Sequence, residues 1–387
     1  MKVFAKGELN HFNRIFEYIR RGGIAVLSGA WDKMLELSDY VERKKAELVM
    51  PACAKQSAAG RQRQAEWGRK SGKQMRRQRE KRSLSGMLRL MVVADESGCL
   101  DVEPPFEIPY LLNLVGDTVG VNEGCPFLVP VSVVQEIQAS LSNSYVVSLL
   151  GEDVVASRNV FPPNSPETIA LFFAGLKGLS IADCRLSIEK ADNQQSTINN
   201  HQSSIIDVLD MGCGSGCLSL LVAQVFEGRN INIVATDHLP EALATTKINI
   251  QKFIQLKRIP ANVIEVTKGG DLFEPILGRC FDVIIFNAPW VVAPARNRAE
   301  TAIHDQHQNT VRRFFAQAGK YLKDVGYILL GYSDNSGSKA IEKLEDIIQK
   351  AGFQIVNLFK ERVQTHRSKR KWETIFVYTC VKCESNG

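Results

Sequence analysis

The chain has 387 residues, 44% of them hydrophobic and 23% charged, and a formal net charge of +6. That leaves room for one large and one smaller globular domain with an ordinary, unstapled core. No apolar run approaches ~18 residues, so no transmembrane helix is expected, and the first residues lack the apolar core of a secretory signal.

The charge is concentrated. Eleven Lys or Arg and two Glu fall between Lys55 and Arg82, a net of +9, so the rest of the chain carries −3. The nine cysteines are odd in number and scattered, which favours free thiols in a reducing, cytoplasmic setting. Cys380 and Cys383 have metal-ligand spacing, but no second pair completes a tetrahedral site, and no metal is expected.

In chain order, residues 1–50 read as a small helical segment. Phe12, Ile15, Phe16 and Ile19 share one helical face, Gly22-Gly23 ends it, and a weaker helix follows Trp31. Residues 51–83 hold the basic run and, apart from Trp67 and Met75, almost nothing large and apolar, so a disordered linker or solvated helix is expected. Within it, segment 55–82 suits a plain linker, phosphate contact with nucleic acid, or a nuclear-import address. Residues 84–165 read as an accessory region of short strand-like pieces interrupted by prolines. It ends at Val160-Phe161-Pro162-Pro163, where Ser165-Pro166 reads as a helix N-cap with Pro at the first helical position. A polar, low-complexity loop at 191–204 separates that helix from the main strands.

The main domain, 166–387, alternates strand and helix. Strands are expected at 205–210, 231–236, 263–267, 281–286, 327–330, 353–359 and 374–381, and helices near 216–226, 240–256, 309–322 and 337–351. The expected fold is therefore α/β, a mostly parallel sheet covered on both faces, with one antiparallel strand where the last two strands follow each other directly.

Three acids stand at the carboxyl ends of the first three strands. Asp210 precedes glycines at 212, 214 and 216; this alternation is not the Gly-x-Gly-x-x-Gly of dinucleotide sites, and an acid there suits a cationic ligand and repels a pyrophosphate. Asp237 ends the second strand, where a carboxylate accepts hydrogen bonds from a ribose diol. Asp271, followed by Leu272 and Phe273, offers an acid and apolar side chains suited to an adenine amine and ring. The fourth strand delivers Asn287-Ala288-Pro289-Trp290 to the same edge.

These stretches, with Pro240-Glu241-Ala242-Leu243 and Asn249, resemble class I S-adenosylmethionine-dependent methyltransferases. Within that class they are most similar to the Asn-Pro-Pro-aromatic amino-methyltransferases, which include HemK-like release-factor glutamine methyltransferases and enzymes acting on adenine or guanine in nucleic acid. The resemblance runs from about Val160 to Val381 and implies a seven-stranded Rossmann-like methyltransferase sheet. It implies S-adenosylmethionine held by Asp210, Gly212, Gly214, Gly216, Asp237, Asp271 and Leu272, and methyl transfer to a planar nitrogen. The acceptor is a base amine of RNA or DNA, or the glutamine amide of a translation-related protein. Asn287 and the carbonyl of Ala288 would aim that nitrogen, and Pro289-Trp290 would bring an aromatic face against it. The chain departs from the pattern at Ala288, where the family usually has proline. That departure and the basic segment leave an alternative, a weak or inactive methyltransferase-fold adaptor that binds nucleic acid. Arg296 and Arg298, just beyond, suit phosphate or an acidic protein face. His304 and His307 read as solvent-facing loop residues, and the basic patch 366–371 as a solvated hairpin tip.

Overall fold

The computed structural model describes residues 1–49, 89–115, 125–179, 205–364 and 372–383. The basic segment 55–82, the loop 191–204 and the patch 366–371 lie outside the described residues. Two compact units divide the chain at Ala139/Ser140.

The first unit contains more sheet than its sequence suggests. Strands β1 (Lys2–Phe4), β2 (Ala25–Leu27), β3 (Gly29–Ala30), β4 (Leu90–Ala94), β5 (Val102–Glu103) and β6 (Phe127–Pro130) are joined by helices Phe12–Arg20, Trp31–Val49, Leu111–Val115 and Val131–Leu141. One sheet runs β1-β2-β4-β6, with β6 antiparallel, and β3 pairs with β5. The reading of 1–50 as a separate helical segment is thus corrected. The two helices are present, but Ala25, Val26 and Leu27 pair in register with Leu90, Met91 and Val92. A three-residue strand is too short to show a periodicity, and its partner lies more than sixty residues away in sequence.

The second unit, Ser140–Gly387, begins earlier than the expected boundary at 166. The hairpin β7 (Ser144–Val147) and β8 (Glu152–Val155) belongs to it, because Val147, Leu150 and Val154 are buried in the same apolar cluster as the main sheet. Asn249, on helix Pro240–Gln255, fixes the hairpin further. Its side chain accepts from Val155 N–H and donates to Val155 O, both at 2.9 Å, and donates to Ser215 O at 2.8 Å. Lys252 and Arg258 pair with Asp153 and Glu152 at 2.8 and 2.7 Å.

Strands β9 (Ile206–Met211), β10 (Ile231–Thr236), β11 (Ile264–Val266), β12 (Phe281–Asn287), β13 (Leu322–Ser333), β14 (Phe353–Gln364) and β15 (Trp372–Lys382) form one sheet in the order β11-β10-β9-β12-β13-β15-β14. All neighbours are parallel except at β15, which runs antiparallel to both β13 and β14. This is the class I methyltransferase sheet that the resemblance implies. Strand order reverses between β9 and β12, and a doubly wound sheet opens its ligand crevice at such a switch point, beyond the carboxyl ends of the strands. β12 is buried from Phe281 to Phe286, which a strand covered by helices on both faces requires. The last three strands extend beyond their expected ends. The β14–β15 hairpin outruns the apolar pattern, and at its far end Arg362 lies 5.3 Å over the Trp372 ring.

Candidate active site

A cavity of about 440 Å³ opens at this switch point, within the usual range for small-molecule sites. Gly212, Gly214, Asp237, Asp271, Leu272, Asn287, Pro289 and Trp290 all line it, as do Phe161 to Ser165. Asp210, Gly216 and Ala288 are not among its lining residues and stand behind the wall.

The loop after β9 takes φ of +68°, +56° and +80° at Gly212, Gly214 and Gly216, values that strain any residue with a Cβ. Gly216 serves packing too: a Cβ there would lie 2.9 Å from Thr246 Cγ2 on helix Pro240–Gln255. The loop is tied across the sheet, Cys213 N–H donating to Thr236 O at 2.9 Å and Gly214 N–H to Asp237 Oδ2 at 3.1 Å. Leu239 N–H donates to Asp237 Oδ1 at 2.9 Å, and His238 Nδ1 lies 3.3 Å from the same oxygen, which raises the His238 pKa. A carboxylate has about four acceptor positions, so Asp237 retains capacity for a ligand hydroxyl.

Asp210 is 1% exposed, and burial pushes its pKa up to about 7. Ser219 Oγ donates to Oδ2 at 2.6 Å, while Oδ1 has no partner among the described residues. An orphaned carboxylate oxygen in a dry wall is costly unless a cation meets it. Asp237, in the lining, fits the ribose hydroxyls of S-adenosylmethionine, and Asp210, behind the lining, fits its ammonium as a buried counter-charge rather than a direct contact. At the adenine end the fit is shared: Arg313 holds the Asp271 carboxylate with two nitrogens, one of them 3.0 Å from Oδ1. Arg313, which lines the cavity, was not legible as a site residue because a helix-borne Arg gives no local pattern.

The acceptor side is built on β12 and β13. Asn287 ends β12 half-buried, and none of the described residues hydrogen-bonds its carboxamide. Gly331, its neighbour in register on β13, makes room: a Cβ there would fall 2.6 Å from Asn287 Oδ1 and 2.8 Å from the Phe172 ring. A glycine inside a strand pattern is the signal that could have found it. Gly331→Ala should therefore displace the Asn287 side chain, lowering turnover by about 10²-fold. Overpacking against Phe172 should cost ~1–3 kcal/mol in denaturant melts.

Ala288 has its own explanation. Its N–H donates to Gly331 O at 3.2 Å, a bond that proline cannot make. The tip is restrained through β13 where a proline ring would otherwise restrain Asn287. Ala288→Pro exchanges one restraint for the other and should leave turnover within about threefold and melting within ~1 kcal/mol, the worth of one hydrogen bond.

Trp290 packs its ring against Phe161 edge to face, with centroids 6.1 Å apart and planes at 86°. The following loop folds back on it. Val291 N–H donates to Ile303 O at 2.8 Å and Asp305 N–H to Val291 O at 2.9 Å, bringing Thr301, Ala302 and His304 to the cavity wall. His304 is accordingly half-buried, with Nδ1 3.0 Å from Glu300 O, and not the solvent-facing residue expected; His307 is exposed. Arg298 is not free for phosphate, since it is bound to Glu241 at 2.9 Å. Cys380 is buried and Cys383 exposed, and among the described residues no group of three or more His, Cys, Asp or Glu could hold a metal ion. Among the same residues no helix is long and apolar enough to cross a membrane.

Fold and cavity together define the second unit as a class I methyltransferase fold with a site shaped for S-adenosylmethionine. Comparison with known proteins agrees: residues 192–357 match the family model of the methyltransferase small domain. The chain is 29% identical over 168 residues to the ribosomal protein uL3 glutamine methyltransferase of Francisella tularensis, covering 40% of this chain and 50% of that protein. It is 27% identical over 162 residues to the release factor glutamine methyltransferase of Aquifex aeolicus, covering 39% and 53%. It is 32% identical over 129 residues to the ribosomal RNA small subunit methyltransferase C of Alcanivorax borkumensis, covering 32% and 31%. The chain thus spans about half the length, or less, of these curated relatives. The resemblance read from Asp210–Gly216 and Asn287–Trp290 is borne out.

Proposed function

We propose that this protein transfers the methyl group of S-adenosylmethionine to a side-chain amide nitrogen of glutamine in a translation-related protein, a substrate that goes with a cytoplasmic site of action. The observation that carries the reading is the Asn287 carboxamide, unpartnered among the described residues and lining the same cavity as Gly212, Gly214 and Asp237.

An amide nitrogen is a weak nucleophile because its lone pair is delocalised into the carbonyl. Asn287 Oδ1 lines the cavity, accepts an N–H and turns the nitrogen toward the methyl carbon, while the Ala288 carbonyl, expected as a second acceptor, is buried behind the lining. Bound S-adenosylmethionine supplies an electrophilic methyl on a sulfonium. Asp210 and Asp237 anchor it, and the apolar wall of Leu272 and Phe286 keeps water from the transfer. Trp290 stacks on the planar amide. Phe161 stands perpendicular to that ring rather than parallel to it, which favours a small planar group over a purine held between two faces. The names of the Francisella and Aquifex relatives support the same acceptor.

The test is transfer from labelled S-adenosylmethionine into an extract lacking this protein, followed by nuclease or protease digestion. Label released only by protease, and recovered as methylglutamine, is the expected result. Release by nuclease would instead support an RNA amine, the reading that the Alcanivorax relative favours. No incorporation at all would favour the adaptor.

A further inference from the structure

Glu241 is a buried carboxylate that neither the cofactor nor the acceptor requires. It is the second residue of helix Pro240–Gln255 and only 1% exposed. Its partners come from far along the chain. Arg298 Nη2 donates to Oε2 at 3.0 Å, Nε lies within ion-pair distance of Oε1 at 2.9 Å, and Asn159 Nδ2 donates to Oε1 at 3.1 Å.

Each partner leads into a different wall of the cavity. Asn159 sits at φ +64° immediately before Val160 and Phe161, the ring against Trp290. Arg298 precedes the turn Ala299–Ala302, accepts the Thr301 hydroxyl at its carbonyl at 2.6 Å, and so orients the segment that carries Thr301, Ala302 and His304 to the cavity. Glu241 itself stands four residues after Asp237. A charge-assisted hydrogen bond from Nη2 holds the pair, and a carboxylate this deeply buried is left uncompensated if the loop swings away.

We propose that Glu241 and Arg298 are positioning residues that clamp the acceptor loop, 291–305, and the threshold at Asn159–Phe161 onto the cofactor wall, so that the acceptor pocket forms only when this pair is made. The proposal rests on the reading of the cavity as a cofactor and acceptor site. It requires no change in the groups that touch S-adenosylmethionine.

The experiment is hydrogen exchange and kinetics on the full chain with Arg298→Ala, Arg298→Lys and Glu241→Gln. In Arg298→Ala, amides of 299–305 and 159–161 should exchange at least about tenfold faster, while those of β9 and β12 are unchanged. The cofactor Kd should move by less than about threefold and kcat/KM for the acceptor should fall about 30–100-fold. Arg298→Lys keeps the charge without the planar guanidinium and should fall between. Combining Glu241→Gln with Arg298→Ala should cost no more than the worse single change. Unchanged exchange in Arg298→Ala, or additive effects in the double variant, would overturn the clamp. Exchange is read without turnover, so an inactive or differently specific enzyme would sink the proposed function and leave the clamp standing.

Discussion

Asn287→Ala should reduce methyl transfer by about 10²–10³-fold, the loss seen when one preorganised polar contact is removed from a reacting centre. The cofactor Kd should stay within about threefold. Asn287 is the last residue of β12, half-buried, and its carboxamide bonds to none of the described residues, so truncation breaks no side-chain hydrogen bond to them. What it removes is the acceptor that lines the cavity and orients the nitrogen, an interaction made as the methyl group moves. Asn287→Asp retains an acceptor oxygen and should keep more activity than Asn287→Leu, which fills the space but accepts nothing. Single-turnover rates with labelled cofactor, beside calorimetric cofactor titrations, give the two quantities. If binding is lost together with turnover, Asn287 belongs to the cofactor subsite and the acceptor lies elsewhere.

Asp210 should make cofactor affinity depend on pH, and the sign follows from its burial. Its pKa is pushed up to about 7, chiefly because the low-dielectric wall penalises the charged form. A cationic ligand favours the ionised carboxylate, so affinity should be full above pH ~7. Below that it should weaken by up to about tenfold per unit. Asp210→Asn should abolish the slope and raise Kd by about 10–100-fold at pH 8, the worth of a hydrogen bond to a charged group. Stability of the empty protein should move the opposite way. A carboxyl with a raised folded pKa binds more protons folded than unfolded. Its contribution is therefore greatest below the unfolded value of 3.8 and is lost as pH rises through about 7. Melting of the ligand-free protein across pH 4–8 should show that loss, and Asp210→Asn should flatten this component. A Kd without pH dependence would mean that the cation is met elsewhere.

Much of the second unit could be read along the chain, because its information is local. Buried parallel strands are continuous apolar runs, and 281–286, 205–210 and 231–236 each announced themselves within a residue of their ends. The acids at 210 and 237 stand at strand termini and Asp271 in the loop after the third strand, and the topology of a doubly wound sheet brings all such termini to one edge. Asp271, Asp237, Asn287 and Trp290 were expected at one cavity for that reason, and they line it.

Tertiary structure decided everything that depends on which distant residues touch. The sequence marks Ala288 only as a missing proline; the Gly331 carbonyl on β13 supplies the substitute restraint. Arg298 read as a free cation, yet a carboxylate 57 positions earlier holds it. The hairpin at 144–155 belongs to the second unit because Asn249 reaches its backbone, and the three-residue strand Ala25–Leu27 of the first unit is set by pairing with Lys2–Phe4 on one side and 90–92 on the other. Periodicity and motif spacing follow from covalent neighbours and the backbone's own geometry, so a single sequence carries them. Hydrogen-bond partners, ion pairs and the space left by one glycine depend on long-range packing, which only the folded chain specifies.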